Sequence, residues 1–322
     1  MRLPQYVEPL SDGLYAIDTG FHRPRFDAAY LVVDAGRAAF VDTGTNFAVP
    51  RLLGALDALH IGRDAVDWVI PTHVHLDHAG GSGLLMRELP AARLLVHPRG
   101  ARHLIDPSAL YDGALAVYGQ AEMDRSYGRL VGVEERRVTL STDGMRVQVG
   151  GRVLELIDTP GHARHHHCVW DACTRGWFTG DTFGLSYREF DIDGRAWILP
   201  TSTPVQFEPD VLKASIARLL ERDPLRMYLT HYGAVTDVAR LGRDLVAMLD
   251  RMVALARQAP GGDARHAWLT RAFGDLYVDG LRGHGLAAPR ERITAMLAMD
   301  IELNAQGVGI WLDKAAAAGG TR

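Results

Sequence analysis

Two cysteines in 322 residues, Cys168 and Cys173, leave nothing from which to build a disulfide framework. Their scarcity fits a reducing compartment and excludes the small, disulfide-stapled secreted class. Both are expected as small core residues rather than ligands. An excess of one charge is missing too: 35 Lys and Arg against 39 Asp and Glu give a formal net charge of -4. That balance supplies no chain-wide field to recruit nucleic acid or an anionic membrane, so neither is expected as a partner. No apolar run reaches the roughly 18 residues that a membrane-spanning helix needs. The opening MRLPQYVEPLSDG has no signal-peptide apolar segment, and a cytoplasmic location is the expectation.

What is present is a large apolar fraction, 47 %, arranged in alternating patterns. LYAIDTG, AYLVVDA and AAFVDTG read as short strands separated by Gly, Pro and Asp. Residues 47–60 have helical apolar spacing, DWVIPTH is a buried strand ending at a histidine, 80–89 is helical, and RLLVHP is the next strand. Residues 99–130 carry Pro107, Gly113, Gly119 and Gly128 and read as short helices and loops, an insertion bordering a pocket. Strands return in RVTL, MRVQV, RVLELIDTP, HCVWDA and GWFTGD, followed by the amphipathic helix DVLKASIARLLER and the strand RMYLTHYG. From Asp237 to Gln258 the pattern is helical, QAPGGDA breaks it, and helical stretches near 264–277 and 289–304 follow; the terminal AAAAGGTR is expected to fray. The expectation is an α/β layered domain over 1–235 and a helical C-terminal region over 236–322.

The chemistry concentrates in THVHLDHAGG, residues 72–81. His73 and His75 alternate, so in extended backbone both side chains point to one side; Asp77 and His78 come after a turn and can face a second position nearby. Three later apolar strands each deliver one donor at a C-terminal end: IDTPGH gives His162, WFTGD gives Asp181, and MYLTH gives His231. Strand ends on a rigid sheet are where α/β proteins build sites. Imidazole nitrogen with carboxylate oxygen suits zinc, and also iron or manganese. These donors are too many for one tetrahedral ion and match two, with one carboxylate able to bridge. Asp42, in VDTG, either orients a ligand histidine or serves a turn. His60, His97, His103, His266 and His284 read as core or surface residues. In the run 165–167 consecutive side chains cannot all point one way; His166 is expected inward, with His165 and His167 solvated.

VDTG, THVHLDHAGG, TPGH, TGDTF and LTHYG, in that order, resemble the metallo-β-lactamase-fold hydrolase superfamily over roughly residues 12–235. The resemblance implies a four-layer αββα sandwich with the metals at one edge, followed here by a C-terminal helical extension. It implies a first metal site of His73, His75 and His162, a second of Asp77, His78 and His231, and Asp181 bridging. It further implies a hydrolase that uses a metal-bridging hydroxide, with Asp77 catalytic, to cleave an ester, thioester or lactone of a small molecule. Two divalent ions, zinc foremost, are the expected cofactors. Glyoxalase II-like enzymes share the donors and a helical tail; a mononuclear iron persulfide dioxygenase, or an inactive metal-binding interaction protein, stays open beside the hydrolase. The stretch 183–207 follows Asp181 and is expected to line the pocket mouth, with Phe183, Tyr187 and Arg188 as substrate contacts; Tyr232, next to His231, either donates to an oxyanion or packs. Packing under the helical tail is the other reading of that stretch. The oligomeric state is left open.

Overall fold

The structure, a computed structural model, describes residues 3–202 and 206–319. Its strands are β1 (Val7–Pro9), β2 (Leu14–Asp18), β3 (Ala28–Asp34), β4 (Arg37–Val41), β5 (Val66–Ile70), β6 (Arg93–Val96) and β7 (Val138–Leu140), then β8 (Met145–Val149), β9 (Arg152–Asp158), β10 (His167–Asp171), β11 (Gly176–Gly180), β12 (Arg226–Leu229) and β13 (Gly233–Val235). Its helices are α1 (Val49–Leu59), α2 (Leu76–Ala79), α3 (Ser82–Glu88), α4 (Pro98–Ile105), α5 (Ser108–Tyr118) and α6 (Gln120–Glu122), then α7 (Pro209–Leu220), α8 (Val238–Ala256), α9 (Ala264–His284), α10 (Arg290–Met296) and α11 (Ala298–Gly319). The result is two mixed sheets flanked by helices, with helices at the C-terminal end, the α/β fold class expected from the sequence.

The chain divides into two compact units that interleave in sequence. The first comprises Met1–Asp158, His165–Gly180 and Asp223–Thr236; the second comprises Thr159–Arg164, Asp181–Arg222 and Asp237–Arg322. Residues 159–164 and 181–222 therefore group with the helical tail.

Every strand belongs to the first unit. One sheet runs β1-β2-β3-β4-β5-β6-β7 and the other β13-β12-β11-β10-β9-β8. Hairpins pair β1 to β4 antiparallel, whereas β4 to β7 pair in parallel because helices intervene. Period-two alternation on β3 divides the core: Ala28, Tyr30 and Val32 join Leu154, Leu156, Val169 and Phe178 of the second sheet, while Ala29 and Leu31 face Leu52, Leu56 and Leu85 of α1 and α3. The inner strands are covered on both faces, which is why they read as continuous apolar runs. The helix expected over 47–60 is α1, started by Pro50 and stopped by His60 in the left-handed conformation at φ 56°.

The second unit is helical. Leu241, Leu245, Leu249 and Met252 form one stripe along α8; Leu269, Phe273 and Leu281 are buried on α9. Two expectations are corrected here. The stretch expected near 289–304 is two helices, broken at Leu297. The tail expected to fray is helical through Gly319, in keeping with the high helix propensity of its alanines; residues 320–322 lie outside the described residues.

Candidate metal centre

The first unit turns two sheet ends into a cluster of donors. Ile70 ends β5, and the chain runs through Thr72 to His73 and His75 before α2 opens and carries Asp77 and His78; His231 lies two residues past the end of β12. Asp77, His78 and His231 each offer one ligand atom, and these lie within 4.8 Å of one another.

The far nitrogen of each ring decides what that cluster can do. His78 donates Nδ1–H to Asp42 Oδ2 over 2.9 Å, and His231 donates Nδ1–H to the Phe26 carbonyl over 3.1 Å. Each bond fixes the tautomer that leaves Nε2 as a lone-pair donor. Both Nε2 atoms face Asp77 Oδ2, at 3.6 Å from His78 and 3.3 Å from His231. Two lone pairs and a carboxylate in one buried spot repel unless a cation sits among them, so the donor set fits a divalent ion.

His73 and His75 form a second group in the same unit. His73 Nδ1 lies 3.2 Å from Thr72 Oγ1, whose hydroxyl donates to Asp42 Oδ1 over 2.9 Å. The remaining nitrogen, Nε2, lies 2.7 Å from His75 Nδ1. Asp42 is therefore the hub: it also accepts from Thr72 N at 2.7 Å and from Thr230 Oγ1 at 2.8 Å. Of its two sequence readings, orientation of a histidine is the one observed. Its backbone sits at φ 58°, a strained conformation held by this network.

His162 and Asp181 belong to the second unit. His162 Nδ1 donates to the Thr201 carbonyl at 3.3 Å, and its Nε2 lies 3.3 Å from Asp181 Oδ2. The same pattern recurs: a backbone acceptor on one nitrogen, a carboxylate opposite the other. The Pro-Gly turn before His162 is pressed onto α7, where Ser215 Oγ donates to the Pro160 carbonyl at 2.6 Å. Gly161 has φ 125°, and a Cβ there would meet the Leu212 backbone at 2.3 Å. Only glycine permits that approach.

The HHH run is corrected. All three rings are buried: His166 stacks on His73 at 4.8 Å, His165 lies edge-on to His75 at 5.6 Å, and His167 Nδ1 meets Ser141 Oγ at 3.0 Å. Burial pushes His167 down to about 3, so it stays neutral. Cys168 is buried as expected, but Cys173 is exposed. His97 bonds Asp158 at 3.0 Å and His284 bonds the Arg195 carbonyl at 3.0 Å, both structural uses.

The residues expected at the pocket mouth are packed. Phe183 and Tyr187 are buried in the second unit, and the Tyr187 hydroxyl donates to Asp300 at 3.0 Å. Arg188 folds back on the Ser186 carbonyl and pairs with Asp191. Tyr232 is buried with Arg25 over its ring, and its hydroxyl is pushed up to about 12, chiefly by burial. The first unit instead contains a cavity of about 460 Å³, lined among others by Phe21, His22, Phe47 and Arg125. Sequence reading missed these residues, the Phe26 carbonyl and Thr230. Phe21, His22 and Phe26 share one Pro- and Arg-rich turn, FHRPRF, which was the available signal. Buried Asp27 at its end is pushed up to about 8, first by desolvation.

Two mixed sheets flanked by helices, with histidine–aspartate clusters at strand ends, define a class of α/β protein whose donors are compatible with metal binding. The chain belongs to the metallo-beta-lactamase superfamily, whose family model matches residues 22–231. It is 26 % identical over 229 residues to the metallo-beta-lactamase fold-containing protein ST1585 of Sulfurisphaera tokodaii, covering 70 % of this chain and 80 % of that one. It is 28 % identical over 221 residues to a hydroxyacylglutathione hydrolase of Acidiphilium cryptum, covering 67 % and 68 %. Among solved structures, the archaeal superfamily protein ST1585 from Sulfolobus tokodaii superposes with a TM-score of 0.63 at 23 % identity, over 93 % of this chain and 99 % of that one.

Proposed function

We propose that this chain is a hydrolase that holds two divalent ions, zinc foremost, and cleaves an ester, thioester or lactone of a small molecule. The observation that carries the reading is the convergence of His78 Nε2, His231 Nε2 and Asp77 Oδ2, with both far ring nitrogens tied to fixed acceptors. We assign His73, His75 and His162 to one ion, Asp77, His78 and His231 to the other, and Asp181 to the bridge. Each of these residues offers one donor atom, and Asp181 is joined by a peptide bond to Gly180, the last residue of β11. The superfamily contains hydrolases, the Acidiphilium relative by name, which supports the reaction class.

Two bound ions would supply Lewis acidity and a water acidified to roughly neutral pH. The protein does the rest. Asp77 presents Oδ2 to both imidazoles, and its other oxygen is assigned to hold the proton of the attacking water. Asp42, Thr72 and Thr230 keep His78 in one orientation so that nothing has to reorganise during reaction. No helix among the described residues is long and apolar enough to cross a membrane. We place the reaction in the cytoplasm on the cysteine usage, and expect a small-molecule partner alone.

Elemental analysis of the purified protein tests this, with about two zinc or mixed divalent ions per chain expected. Asp77→Asn should keep the circular-dichroism spectrum while turnover of an ester, thioester and lactone panel falls by about 10³-fold. One iron per chain, with oxygen uptake and no hydrolysis, would replace the hydrolase with a dioxygenase.

A further inference from the structure

Three segments that are distant in sequence build the cavity of about 460 Å³ within the first unit: the turn 19–22, the turn 45–47, and Arg125 and Ser126 of the wide, π-helical turn Met123–Tyr127 in the insertion. That volume suits a small molecule. The walls are tied to one another, since Asn46 Nδ2 donates to the Arg129 carbonyl at 2.6 Å. Between them stands Phe47, 55 % exposed, more than any other large apolar side chain described. A phenyl ring left open on a cavity wall gains most by covering itself with a flat apolar ligand.

Behind the lining, buried aromatic rings lead on toward the donors. Tyr127 packs on Phe21 at 5.5 Å, Phe21 lies 6.0 Å from Phe26, and Phe26 lies edge-on to His231 at 5.5 Å. Through Phe21 and Phe26 the lining of the cavity is thus linked by ring contacts to His231, one of the assigned donors. The polar part of the lining carries no surplus charge: Arg125 is paired with Glu122, while Thr19, Thr45 and Ser126 offer neutral hydroxyls. Such a lining does not call for an anionic group.

We propose that the acyl part of the substrate carries an uncharged ring, held against Phe21 and Phe47, so that Phe47 sets specificity. This rests on the hydrolase reading, and the test separates the two. Calorimetry on the zinc-loaded protein would compare 3-phenylpropan-1-ol with propan-1-ol, neither of which requires turnover. Constant-pH titration would follow methyl 3-phenylpropanoate and methyl propanoate. The phenyl alcohol should bind about tenfold tighter than propanol, and Phe47→Ala should remove most of that preference. The same variant should raise KM about tenfold for the phenyl ester alone and leave kcat in place, while Phe47→Trp should retain the preference. Phe47 is exposed, so these variants should fold. An equal affinity for the two alcohols, or a preference that survives Phe47→Ala, overturns the proposal. If the preference is present and lost in Phe47→Ala but neither ester is cleaved, the pocket stands and the hydrolase reading falls.

Discussion

Both units bury a polar network, and the two networks do different things. In the first unit Asp42 gathers Thr72, Thr230 and His78, and each contact ends by aiming a ring nitrogen outward to a shared point. In the second, Asn304 gathers Ser202, Pro200 and Tyr277 through three hydrogen bonds of 2.7–3.1 Å, and Tyr187 closes on Asp300. There the three Asn304 bonds terminate on backbone and on a phenol. The first network has a charge at its centre and costs stability to assemble. The second is neutral at its centre and holds the loop 183–202 onto α9 and α11.

That contrast can be broken by substitution. Asn304→Ala strands the Ser202 amide and the Pro200 carbonyl in a buried position, and should cost about 3 kcal/mol. Thermal unfolding would measure it; zinc stoichiometry should not change. A loss of metal in that variant would mean the second network is not merely structural. Asp42→Asn should do the opposite. The amide can turn a donor toward His78 Nδ1, which moves the ring proton to Nε2 and spoils its lone pair. Affinity for one of the two ions should fall about 10–100-fold, read by competition with a chromophoric chelator. Unaltered affinity would sever Asp42 from the metal site. The smallest effect belongs to Tyr187→Phe: about 1 kcal/mol of stability through the lost bond to Asp300, with KM unchanged for any substrate turned over. A rise in KM would return Tyr187 to the substrate contacts expected from its position after Asp181.

The donors were legible because each follows an apolar strand, and an apolar strand that stops at a histidine or aspartate is visible without any structure. The strands themselves were legible for the same reason. The 165–167 run was misread because alternation sends every second side chain to solvent only when one face of the strand is wet; every residue of β10 is buried, so His167 found Ser141 instead. The aromatic stretch after Asp181 and the turn FHRPRF look equally suited to bind a ligand, yet Tyr187, Phe21 and Phe26 are all buried and the open ring is Phe47, outside both stretches. That distinction depends on which distant segment arrives on top, and Thr45, Arg125 and Gly20 meet only through the fold. The Phe26 and Thr201 carbonyls were invisible because any residue type supplies one.

The hydrogen bond from Thr230 to Asp42 joins residues 188 positions apart. As the chain is made, Asp42, Asp77 and His78 exist long before β12 delivers Thr230 and His231. Until then Asp42 has only Thr72 and His78 as partners, and the cluster lacks its third donor. On the proposed assignment, the second ion meets its full donor set only once His231 has joined Asp77 and His78.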